Sequence, residues 1–329
     1  MRSSRKTLFF NHFHTPRSNS YVIQHSEKDE NKGKKAINHF GSPVKILQGL
    51  REGQNAIITI TEHFKSNPLQ FFHGLVRAVE ELGGEGKIEE RSVLLELENS
   101  QMRVINGAEA IYKDESNHII LGGLPINEEI FKLEDRDELL EAANKARYAQ
   151  PAHPFFGDFG IEEETLFEIC ETIRESSAQL FIPYTTGYGY MYDKKARGFE
   201  ESEIDIEDLS EKFSAPYIVE QDHHVHLPSG MNGAALLKNS ALEDEVPIQK
   251  LKEAKIIKPK KTDTLKDQWR IGRTYADQLP GYLDKKWFWK IINTPYTQKH
   301  FRKYRDKYYD LELGNLDFDK LEERSKKLN

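Results

Sequence analysis

Seven short polar strings built on His, Glu or Asp are scattered over more than 200 residues of this chain, and nearly every one follows or overlaps a short apolar run. They are His12-Phe13-His14, Thr61-Glu62-His63, Gly107-Ala108-Glu109, Asn117-His118, Ala152-His153-Pro154, Asp222-His223-His224 and His226. Side chains so far apart in sequence meet only if a fold gathers the ends of their strands. A ring of parallel strands does this, because all of its strand ends open on one mouth.

The rest of the pattern agrees with such a ring. Apolar, β-branched runs at residues 6–10, 55–61, 93–97, 102–105, 118–121, 147–152, 179–183 and 217–219 predict strands. Between them, residues 44–50, 68–82, 134–146, 162–176 and 206–213 predict helices. Leu69, Phe72, Val76 and Val79 form one stripe of the second helix, and Gly83-Gly84 should end it. Residues 26–36 are charged without apolar period and read as an exposed loop. Strands alternating with helices argue for an α/β fold, a parallel sheet or barrel, with the polar strings at the C-terminal ends of its strands.

Charge divides the chain. Residues 247–310 hold 17 Lys/Arg against 7 Asp/Glu, although the whole chain carries a net −7. All three tryptophans, Trp269, Trp287 and Trp289, lie in that basic stretch. The shift predicts a barrel unit over 1–245 and a basic, aromatic-rich helical extension over 246–329. No apolar run approaches the roughly 20 residues needed to cross a bilayer. The basic N-terminus is followed by too short an apolar run for a signal peptide. Cys170 is the only cysteine, which excludes an intrachain disulfide, fits a cytoplasmic location, and leaves any metal site to N and O ligands.

Each polar string has an ordinary reading on its own. Thr61-Glu62-His63 would serve as a helix N-terminus, Ala152-His153-Pro154 as a turn, and Asp222-His223-His224 as a surface loop. His12 and His14 share a face by strand alternation, which a structural strand allows equally. Five or more strand ends carrying imidazole or carboxylate are better explained together, as a transition-metal site.

In this order and spacing, over roughly residues 7–235, the strings resemble the polymerase-and-histidinol-phosphatase (PHP) superfamily of metal-dependent phosphoesterases. Asn11-His12-Phe13-His14-Thr15-Pro16-Arg17-Ser18 is similar to its first motif, and Ile60-Thr61-Glu62-His63 to its second. Gly107-Ala108-Glu109, His118-Ile119-Ile120-Leu121-Gly122, Ala152-His153-Pro154-Phe155 and Asp222-His223-His224 resemble the later ones. The resemblance implies a distorted (β/α)7 barrel with two or three divalent ions (Zn, Mn or Fe) at its mouth. It implies His12, His14, His63, Glu109, His118, His153, Asp222 and His224 as ligands, with Glu109 bridging two ions. Three positions depart from the family: Asn11 and Asn19 stand where acids are usual, and Glu62 replaces Asp.

The chemistry expected of such a site is hydrolysis of a phosphate monoester, or of a nucleotide or nucleic-acid phosphoester, through a metal-bound hydroxide. Arg17 is the candidate to hold a non-bridging oxygen. Asp222 belongs to both the ligand set and the catalytic set. His226 is either an alternative last ligand or the group that protonates the leaving oxygen. A catalytically silent metal-binding scaffold or nucleic-acid-binding module is the alternative, and hydrolysis at a carbon centre a third. Lys285-Lys286-Trp287-Phe288-Trp289-Lys290 and the segment 299–305 interleave aromatics with cations. That pattern suits packing on an acidic barrel or, alternatively, contact with nucleic acid. The expected partner is a phosphorylated small molecule or nucleotide, with no membrane.

Overall fold

Alternation along the first strand sorts its side chains into two cores, and the same parity runs through its neighbours. The computed structural model describes residues 7–14, 41–50, 55–62, 68–154, 161–185, 206–220, 234–237 and 241–257. Strand β1 (Thr7–Phe13) lies parallel to β2 (Asn55–Glu62), and β2 lies parallel to β5 (Ser100–Tyr112). A meander of β3 (Glu85–Ile88) and β4 (Ser92–Leu97) leads into β5. β5 then folds back on β6 (Asp114–Gly122) through a turn at Lys113, which takes a left-handed φ of 59°. β6 is antiparallel to both β5 and β8 (Tyr148–Pro151), and β8 pairs in parallel with β9 (Gln179–Leu180). Short β7 (Lys132–Leu133) adds to β5.

Phe181 and Ile182 carry the chain from this sheet into a second pairing. The Phe181 N–H donates to the Ala149 carbonyl, and the Ile182 N–H to that of Pro216. β10 (Ile182–Thr185) thus pairs in parallel with β11 (Tyr217–Glu220), which packs against β1. On its far edge β1 pairs with antiparallel β12 (Ala234–Leu237), followed by β13 (Lys255–Ile257).

The result is a mixed α/β fold whose sheet curls into a half-barrel. It departs from the expected (β/α)7 barrel in two ways. β6 runs against its neighbours, and β12 occupies the β1 edge at Thr7, Leu8 and Phe9. Two backbones cannot use the same row of N–H and C=O groups, so β11 approaches β1 without extending the ladder there. The expected strands 102–105 and 118–121 are pieces of one long β5–β6 hairpin. Glu109 and His118 therefore lie within strands, not at their C-terminal ends. Strand β12 had no counterpart in the sequence reading.

Helices cover the outer face. α1 (Gly41–Gly49) and α2 (Pro68–Glu80) bury Val44, Ile46, Leu47, Phe72, Leu75 and Val79 against Leu8, Phe10, Ala56 and Ile58. α2 stops where expected, with Gly83 at φ 83°. α3 (Arg136–Lys145), α4 (Glu163–Glu175) and α5 (Ile206–Phe213) cover the other half against Ile119, Leu121, Ala149 and Ile182. The Asp135 side chain caps α3 by accepting from the Glu138 N–H at 3.0 Å. α6 (Ile248–Lys252) contributes Leu251 to the inner core. No helix among the described residues is long and apolar enough to cross a membrane. The inner face of the curl holds Phe9, Ile57, Ile105, Tyr148 and Val219 from five strands, with Phe181 from the link between β9 and β10. Full burial of each such side chain contributes roughly 1.5–3 kcal/mol.

Candidate metal centre

Above this inner core the interior turns polar. The Tyr148 hydroxyl donates to Asn11 Oδ1 at 2.7 Å and lies 2.7 Å from Thr59 Oγ1. The Asn11 amide donates to Gln150 Oε1 at 2.9 Å. Burial holds the Tyr148 phenol far above its ordinary pKa, so it stays a neutral donor. Its ring crosses the interior over Gly122, where a Cβ would stand 2.0 Å from the ring carbon Cζ. Only glycine leaves room for it. This belt ties β1, β2 and β8 together beneath the site.

The next layer is a cluster of imidazole and carboxylate around Glu109, which is 1% exposed. His12 Nε2 lies 3.1 Å from Glu109 Oε2, and His14 Nε2 lies 3.2 Å from the same oxygen. On the other oxygen, Oε1, His118 Nδ1 stands at 2.7 Å and His153 Nε2 at 3.2 Å. One carboxylate therefore faces two pairs of imidazoles, one pair on each oxygen. Within each group of three residues the donor atoms lie within 4.8 Å of one another.

Strand alternation alone would not produce this. In β1 the residues Leu8 and Phe10 face the outer helices, so an unbroken strand would send His12 and His14 outward with them. The register between β1 and β2 shifts between Phe10 and Phe13, and His12 takes a left-handed φ of 58°. This bulge returns Phe13 to the outer core and turns both imidazoles toward Glu109. The same-face expectation for His12 and His14 holds, but the bulge decides which face. His153, just past β8, is also left-handed, at φ 30°. Such backbone is uncommon outside glycine and clusters at functional sites.

Two of the imidazoles are orientation-locked. His12 Nδ1 lies 2.9 Å from Glu220 Oε1, and His118 Nε2 lies 2.9 Å from the Glu115 carbonyl. An ionised carboxylate and a carbonyl only accept, so Nδ1 of His12 carries a hydrogen; in His118 both nitrogens face such acceptors, Nδ1 standing 2.7 Å from Glu109. In the neutral His12 ring the remaining nitrogen turns its lone pair on Glu109. A cation between lone pair and carboxylate reconciles that arrangement, and an oxygen acceptor behind a metal-binding His is its usual companion. Separations fit as well. Ligands of a tetrahedral zinc ion, with bonds of roughly 2.0–2.2 Å, stand about 3.3 Å apart. Three of the four nitrogen–oxygen distances are 3.1–3.2 Å; the fourth, His118 to Glu109 at 2.7 Å, is a hydrogen-bond separation that would have to open to admit an ion. Were all four rings protonated instead, four cations would crowd two buried carboxylates, Glu109 and Glu220, at a large desolvation cost. The donor set thus suits divalent ions that accept imidazole and carboxylate, among them Zn, Mn and Fe. Cys170 is buried in the outer core with its thiol pushed up to about 12, and takes no part.

Of the expected site residues, His12, His14, Glu109, His118 and His153 come together here. His63, Asp222, His224, His226, Arg17 and Asn19 lie outside the described residues, as do the basic segments at 285–290 and 299–305. Asn11 belongs to the polar belt, and Glu62 ends β2 half-buried. The sequence reading missed Glu220, which is fully buried beside His12 and accepts from the His153 N–H with both oxygens at 3.0 Å. Its signal was available: a carboxylate ending a strand, two residues before Asp222. It missed the belt too, although Asn11, Thr59 and Gln150 are polar residues inside otherwise apolar strands. Comparison of the chain with protein-family models, curated proteins and solved structures gave no match.

Proposed function

We propose that this chain is a divalent-metal-dependent phosphoesterase of PHP type, acting on a phosphate monoester or a nucleotide phosphoester. The observation that carries this reading is the division of four imidazoles between the two oxygens of Glu109, which suits a pair of ions bridged by one carboxylate. Two further observations support it. The motif order agrees with that family, and β1, β2, β5, β6, β8, the β9–β10 segment and β11 follow one another around the curl as the strands of a closing barrel would. His12, His14 and Glu109 would hold one ion; Glu109, His118 and His153 would hold the other. When bound, such a pair supplies a nucleophile at neutral pH and neutralises charge on the phosphoryl oxygens.

The chain's own residues then have defined tasks. Glu220 and the Glu115 carbonyl orient His12 and His118. The apolar floor of Phe9, Ile57 and Ile105 excludes water from below. The Tyr148 belt fixes the strands that carry the site. Arg17, His63, Asp222, His224 and His226 are proposed to complete the set.

Metal analysis of protein purified without added ions, followed by a panel of phosphoesters, tests the proposal. Two ions per chain with hydrolysis of at least one phosphoester supports it. Two ions with no hydrolysis on any phosphoester points to the metal-binding scaffold. Less than one ion, with none taken up from Zn or Mn, removes the metal reading.

A further inference from the structure

We propose that Glu220 is a positioning residue that couples the two metal positions, an inference resting on the two-metal reading above. Its carboxylate, from β11, is fully buried and touches one histidine of each pair. Oε1 holds the His12 ring through Nδ1 at 2.9 Å, and both oxygens accept the His153 backbone N–H at 3.0 Å. His12 serves Glu109 Oε2, and His153 serves Oε1. The two rings stack, with centroids 5.8 Å apart and planes at 22°.

Both histidines have backbone that does not hold itself. Non-glycine residues rarely hold a left-handed φ unaided. His12 sits at φ 58° on β1 and His153 at φ 30° just past β8, and one carboxylate touches both. An ion drawing His12 into place also settles Glu220, and Glu220 in turn settles the His153 backbone. The reverse path is equally open. Filling either position therefore pre-orders the other, which is positive cooperativity carried by a shared contact.

The experiment is a zinc titration of the metal-free full chain, wild type and Glu220→Gln, read as ions bound against free zinc. The wild type should take up two ions in one cooperative step. Glutamine keeps the volume, but in either orientation it turns an amide N–H on the His153 N–H and offers a neutral oxygen, so it braces the two histidines less well. The variant should still reach two ions, in two separated steps, with affinity lowered roughly 10–100-fold. Circular dichroism of the metal-free variant controls for folding. A measurement on the wild type alone guards against a misfolded variant: in 15N NMR of the zinc-loaded chain, His12 should keep hydrogen on Nδ1 and bind through Nε2. Identical titration curves for the two proteins, or a His12 bound through Nδ1, would overturn the role of Glu220 and leave the two-metal reading intact. A wild type that binds fewer than two ions overturns both.

Discussion

On the Oε2 side of Glu109 both imidazoles come from one strand end, His12 and His14, and both are fully buried. On the Oε1 side they come from two elements, β6 and the turn after β8, and His118 is 20% exposed. The first pair is made by a backbone device, a bulge with one left-handed residue, seated on the Tyr148 belt through Asn11. In the second pair His118 is held through a carbonyl of its own strand, and His153 sits in the left-handed turn after β8. Each half thus carries one left-handed residue, His12 or His153, but only the first is seated on a buried polar network. The first half should be the more rigid and the more costly to disturb, the second the more open to solvent.

Removing what the halves share should have the largest effect. In Glu109→Gln a neutral amide offers one oxygen and turns N–H groups on one pair of imidazoles. Both ions should be lost at micromolar metal, with affinity down at least about 100-fold, while circular dichroism shows retained structure. If the variant keeps one tightly bound ion, the bridge is not shared and the comparison of halves fails.

Emptying one half at a time comes next. The double change His12→Ala with His14→Ala, and separately His118→Ala with His153→Ala, should each lower the bound metal from two ions to one. Both should abolish phosphoester hydrolysis without unfolding the chain, because a two-ion site needs both positions. Undiminished turnover in the first double variant would place the chemistry elsewhere.

A smaller effect separates the supports. Tyr148→Phe removes the hydroxyl shared by Asn11 and Thr59 and leaves buried polar atoms unsatisfied. It should cost about 1–3 kcal/mol of stability, read by denaturant unfolding. It should also weaken metal at the His12/His14 position more than at the other, since Asn11 lies in the bulge. Equal weakening of both positions would show that the belt supports the sheet as a whole.

The smallest expected difference is in acid. Imidazole binds metal only when neutral, so occupancy is complete well above the ordinary imidazole pKa of about 6.5 and is lost as pH falls through and below it. The position served by His118 is reached by solvent first. Its ion should be released at slightly higher pH, by less than about one unit. Metal release followed against pH in the two double-histidine variants measures each position alone, and the opposite order would reverse the assignment of the open side.

Much of this was legible locally. Periodicity placed the strand at 55–61 and the helices at 68–82, 162–176 and 206–213 within a few residues of β2, α2, α4 and α5. Side-chain spacing along one segment reports burial along that segment. The β5–β6 hairpin was read as two short strands because Gly107, Asn117 and the charged turn at 113–115 interrupt the apolar run. Long ladder pairing overrode those local preferences.

By itself the sequence determined the class of elements and the chemical types available: imidazole and carboxylate near strands, and a single cysteine that leaves a metal site to N and O ligands. Tertiary structure alone decided which way they face and whom they meet. The bulge at Asn11 and His12 exists only relative to the register of β2. The assignment of each histidine to one oxygen of Glu109 depends on the curl of the sheet. The contact of Glu220 with His12 spans 208 residues of chain, and no local pattern encodes a pairing that only the closing of β11 onto β1 creates. Local sequence sets what a side chain can do, and register and curvature set what it does it with, because hydrogen bonds and metal ligation act over about 3 Å in space regardless of separation along the chain.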